Sequence, residues 1–184
     1  YKRQVNDYSG ATTVSSNAVL YAEDGTLGNT SALAVESDAV AYIEGDNAVR
    51  GLDNSGKLVI GSEFPNAQAG SVVLTLNSDA SAGNEIRGTL AGTGTLRVAG
   101  NGQVDEGISP DLTIYGAQQS FYGNLELVSG AWVKLETATN NVFGNNASDN
   151  HITLSKESVM TIDSSYNGSE ITFEGAFYNL SLIH

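Results

Sequence analysis

DLTIYGAQQSFYGNLELVSGAWVKLE, running from Asp111 to Glu136, decides how the rest of the chain is read. Leu112 and Ile114 alternate with Thr113 and Tyr115. Leu125 and Leu127 alternate with Glu126 and Val128, and Val133 and Leu135 with Trp132, Lys134 and Glu136. A period of two sends successive side chains to opposite faces, so each piece predicts a half-buried strand. Gly116, Gly123 and Ser129-Gly130 punctuate the pieces and predict turns. Such a unit has too little apolar surface to stand alone, and it makes sense as one layer in a stack.

Working outward, similar apolar bursts recur along the chain. Ala18–Ala22, Leu33–Ser37, Val40–Glu44, Leu58–Gly61, Val72–Leu76, Thr89-Leu90 and Thr95–Ala99 precede the unit, and Ile152–Leu154, Val159–Ile162 and Ile171–Phe173 follow it. The spacing averages about 20 residues, and no stretch sustains an apolar face at helical spacing. The expectation is an all-β, right-handed parallel β-helix, a fragment of a longer repeat. Eight or nine coils at the usual inter-strand spacing would make a rod on the order of 40 Å long. Turn asparagines, as at Asn140-Asn141 and Asn145-Asn146, suit left-handed bends and can bond to neighbouring coils. A β-sandwich is the alternative, but Asp24-Gly25, Asn101-Gly102 and Asn167-Gly168 sit in longer polar stretches, not between two clean strands.

The two ends read as foreign. Tyr1-Lys2-Arg3-Gln4 can be encoded TATAAGAGACAG and Leu180–His184 CTGTCTCTTATACAC, and the first is the reverse complement of most of the second. Both resemble the inverted end sequence of a transposon-based sequencing adapter. The expectation is therefore that 1–4 and 180–184 are adapter-derived and that 5–179 is the β-helical segment.

Eight basic residues stand against 21 acidic ones, a formal charge of −13. Setting aside Lys2 and Arg3 makes the balance more acidic still. Such a chain lacks the clustered cations that nucleic acid or an anionic membrane surface demands. With no cysteine, disulfides, thiolate catalysis and Cys-based zinc sites are excluded. No apolar run approaches the roughly 18 residues of a membrane helix. The 21 glycines and only two prolines mark a turn-rich chain.

IRGTLAGTGTLRVAGNG (Ile86–Gly102), followed by Leu112–Glu136, resembles the strand repeat of bacterial autotransporter passenger domains. Gly92, Gly94, Leu96, Leu112, Ile114, Gly116, Ala117, Tyr122, Gly123, Leu125, Leu127 and Gly130 carry the resemblance. Asn141–Ile162 resembles the recurrent Phe-Gly turn and Ile-Thr-Leu strand that follow it. Gln118 stands where asparagine is usual, and Gln103–Pro110 is an insertion. The resemblance covers Ile86–Phe173 best. It implies a right-handed β-helix exported to the bacterial cell surface through a C-terminal β-barrel outside this sequence, serving as an adhesin or stalk. Host surfaces, glycans or self-association are the partners it implies, and membrane contact would come only through that barrel.

Catalytic signals are sparse. No G-x-S-x-G elbow occurs. Gly92-Thr93-Gly94 has no helix after it to make a phosphate cradle. His151 reads as a surface residue and Asp105-Glu106 as a solvated loop, so no catalytic, metal or cofactor residue is expected. The enzyme alternative is a polysaccharide-degrading or phage-spike-like β-helix, with Glu126, Glu136 and Lys134 as an outward carboxylate patch. For surface contact the candidates are Trp132 and Tyr115. Alternation points Trp132 outward, where it and Tyr115 could stack on a sugar ring. The plainer reading has a turn, at Phe121-Tyr122, covering the indole.

Overall fold

The computed structural model describes residues 9–28, 30–64, 71–78, 83–100, 109–116, 118, 120–128, 130–137, 151–155, 157–164 and 176–179. In chain order the strands begin with β1 (Thr12–Val14), β2 (Val19–Ala22), β3 (Leu33–Val35), β4 (Val40–Ile43), β5 (Asn47–Val49) and β6 (Leu52–Asn54). Then come β7 (Lys57–Ile60), β8 (Val73–Asn77), β9 (Glu85–Ile86), β10 (Thr89–Gly92), β11 (Thr95–Ala99) and β12 (Leu112–Tyr115). The last six are β13 (Ser120–Phe121), β14 (Asn124–Val128), β15 (Trp132–Thr137), β16 (His151–Leu154), β17 (Val159–Ser164) and β18 (Ala176–Asn179).

These strands form three sheets, and every pairing is parallel. The first sheet runs β1-β3-β6-β9-β12-β15-β17, the second β2-β4-β7-β10-β13, and the third β5-β8-β11-β14-β16-β18. From β3 to β14 the chain visits the three in turn, and each strand lies beside its equivalent in a neighbouring circuit. This is a parallel β-helix, not a sandwich. Among the described residues its first sheet has seven strands, a rise of roughly 30 Å, where eight or nine coils were expected of the chain.

The repeat is longer and less even than the bursts imply. Side-chain bonds from one coil to the next span 20, 32, 28 and 21 residues. The strands keep register while the connections between them take up the difference in length. Ile171–Phe173 and the paired asparagines at 140–146 lie outside the described residues.

Alternation builds the core. Leu33, Leu52, Leu112 and Val133 fall at one ladder position of the first sheet, and Val14, Val35, Ile86, Ile114 and Leu135 two residues on. All are buried, and with Leu58, Ile60, Leu74, Leu76, Leu96, Val98, Leu125 and Leu127 they form one column of apolar side chains. Each contributes about 1.5–3 kcal/mol on burial.

Corners are tight. Gly88 sits over Gly56, and a Cβ on Gly88 would overlap the Gly56 carbonyl. A Cβ on Gly123 would likewise overlap the Gly94 carbonyl. Elsewhere the bend uses a left-handed residue. Asn17 and Asp38 both have φ 63°, and Asn17 N donates to Asp38 O at 3.2 Å. Short polar side chains tolerate that region best after glycine.

Candidate functional site

Three outer faces are available, one per sheet. On the first, Arg87, Tyr115 and Glu136 stand in successive coils. Arg87 Nε donates to Glu85 Oε2 at 2.5 Å, and Arg87 Nη2 donates to the Tyr115 hydroxyl at 3.1 Å. The guanidinium carbon lies 4.1 Å from the Tyr115 ring centroid, within cation–π range. Tyr115 in turn donates to Glu85 Oε1 at 3.2 Å. The hydrogen bond to Glu85 raises the Arg87 pKa above its ordinary value. Desolvation is the larger cause pushing the Tyr115 phenol up, and the Glu85 carboxylate adds to it. Tyr115 is thus engaged by its neighbours on both ring and hydroxyl.

Trp132 lies on the same outer face, half-buried. Its Nε1 donates to Thr161 Oγ1 on β17 at 3.1 Å. Phe121, expected as part of a turn over it, instead points into the core, 1% exposed, on the second sheet. The following coil supplies the partner instead. Nor does Trp132 meet Tyr115. The register sets Tyr115 opposite Glu136, four residues beyond Trp132 and about 13 Å along the strand. One aromatic platform built from both is therefore not assembled.

The expected carboxylate patch is divided as well. Glu126 is on the third sheet, where its Oε2 accepts from Arg97 Nε at 2.8 Å. Glu136 is on the first, 3.2 Å from Lys134 Nζ. Alternation points each outward correctly, but it carries no information on which of three faces a strand belongs to. Among the described residues no three His, Asp or Glu side chains converge as a metal site. His151 opens β16 opposite Ala176. Asp105-Glu106 lies outside the described residues.

Two surface features escaped the sequence reading. On the second sheet, Tyr21 and Tyr42 stack with centroids 5.0 Å apart and planes 7° from parallel. Aligning SNAVLYA (16–22) with SDAVAYI (37–43) would have found this pair, since both tyrosines occupy the same place in a repeated phrase. On the third sheet a trough of about 360 Å³ is lined by Gly25, Gly28, Asp46, Asn47, Ala48, Val73, Thr75 and Arg97. Its cause is topological. The coil that holds β1 and β2 contributes no strand to the third sheet; there the chain turns through Gly25 (φ 64°) and Gly28 (φ 55°). Nothing in the local sequence announces that.

Asp46 is fixed at the trough by three hydrogen bonds, one of them from Gly25 N to its carbonyl at 2.9 Å. Its Oδ1 accepts from Val73 N at 2.8 Å, and its own N–H donates to Asp24 Oδ1 at 2.7 Å. Asn47 beside it is buried and fully engaged: its Oδ1 accepts from Leu27 N, and its Nδ2 donates to the Glu23 and Gly45 carbonyls. Arg97 is held from the other side by Glu126. No family model matches the chain, and neither a curated protein nor a solved structure matches it.

Proposed function

We propose that this chain is a segment of an exported, autotransporter-type surface protein, whose β-helix serves as a stalk or an adhesive surface. The observation that supports this most is where the repeat's turn residues fall. Gly92 closes β10 and Thr93-Gly94 leads into β11, Tyr122-Gly123 lies between β13 and β14, and Gly130 between β14 and β15. The phrase that resembles the passenger repeat thus covers two circuits of the helix, β9 to β11 and β12 to β14, with β15 opening the next. A stack held by an inner apolar column and by hydrogen bonds from coil to coil suits a part that spans distance and displays side chains.

Sequencing outward from the gene segment tests the proposal. The expected reading frame continues downstream into a run of amphipathic strands able to close a β-barrel. A frame that stops without one, or that joins a phage structural or catalytic module, overturns it.

A further inference from the structure

We propose that the trough on the third sheet is a binding site for a neutral saccharide, about two linked pyranose rings long. This deepens the adhesive part of the reading above and rests on it only for its biological setting. Ala48, Thr75 and Arg97 occupy one outward ladder position in successive coils of the third sheet. At the usual inter-strand spacing they span about 10 Å, the reach of a disaccharide.

The lining matches what a sugar presents. A pyranose offers hydroxyls at its rim, each both donor and acceptor, and C–H groups on its faces. Asp46 supplies a carboxylate whose Oδ1 is committed to Val73 N, leaving Oδ2 to accept. Arg97 supplies terminal guanidinium N–H groups, its Nε being committed to Glu126. Thr75 supplies a hydroxyl between them. The Ala48 and Val73 methyls give the C–H faces an apolar contact, and Gly25 and Gly28 leave the floor open. Both charged groups are already oriented by protein bonds, so a ligand pays little rotamer entropy to use them. Glu126 already balances the Arg97 charge and Asp46 adds a carboxylate, so the trough has no surplus cation to select an acidic sugar. A chain of net charge −13 repels polyanions in any case.

The test is a titration of the 15N-labelled 184-residue chain with maltose, lactose, cellobiose and chitobiose, followed by amide shifts. At least one disaccharide is expected to move the Ala48, Thr75 and Arg97 amides and to saturate in the millimolar range typical of an open, shallow site. Ala48→Gln, which fills the floor, and Arg97→Gln, which removes a charged donor, are each expected to weaken it by about tenfold. Thr75→Val keeps the shape and removes only the hydroxyl, so it serves if either variant loses its far-UV spectrum. Absence of shifts with all four sugars overturns the proposal. So do shifts that map to Trp132 instead, or variants that bind as the parent does. Any of those results leaves the export reading standing, because that reading is decided by the downstream frame.

Discussion

The Asn84 carboxamide accepts a hydrogen bond from Leu52 N at 2.8 Å and donates one to Asp111 O at 2.8 Å. It therefore bonds to the coil on either side of its own. β9 is only two residues long, and the side chain takes the place of the peptide group that a longer strand would have supplied. Gln118 acts similarly, accepting from Leu90 N at 2.7 Å and donating to the Gly88 and Tyr115 carbonyls. The Gln118 side chain is buried, and this bonding engages both ends of its amide. Asn84→Ala leaves a buried N–H and a buried C=O unpaired and is expected to cost about 2–4 kcal/mol. The measurement is the urea midpoint at unchanged slope, with Asn124→Ala, a half-buried amide, as the milder comparison.

At the scale of strands and corners, the sequence was legible where Leu, Ile and Val supply the inner positions. Val40–Ile43, Thr95–Ala99, Asn124–Val128 and Trp132–Thr137 are strands within a residue or two of where alternation put them. β5 (NAV) and β6 (LDN) were missed because Asn47 and Asn54 fill inner positions. A polar residue there erases the alternation on which the reading depends. β13 escaped because two residues carry no period at all. The candidate site was less legible than the fold: Trp132 and Tyr115 were placed outward, but their separation depends on register between coils. Corners follow a similar division. Gly88→Ala forces a Cβ against the Ser55 and Gly56 backbone, and the expected loss is about 1–3 kcal/mol. Gly83 has open space around its Cβ position, so Gly83→Ala is expected to be neutral or to stabilise by up to about 1 kcal/mol. Thermal melts of the two variants side by side check the contrast.

Across the whole molecule, each coil bonds only to its neighbours, so stability is nearly a sum of local terms, and unfolding can start at one region. Trp132 is the chain's single tryptophan, and it is bonded to β17, the outermost strand of the first sheet. Its fluorescence is expected to change at lower urea than far-UV circular dichroism, which reports on all strands. Coincident transitions would show a stack that melts as one unit. The same ladder has a mechanical consequence. Its hydrogen bonds run along the long axis, across the strands. Tension along that axis loads one row of bonds after another, so the molecule yields by peeling, a coil at a time. Force across the axis meets every row together. A ladder of this design resists bending, yet under a steady axial pull it lengthens in steps, dissipating load without a single breaking point.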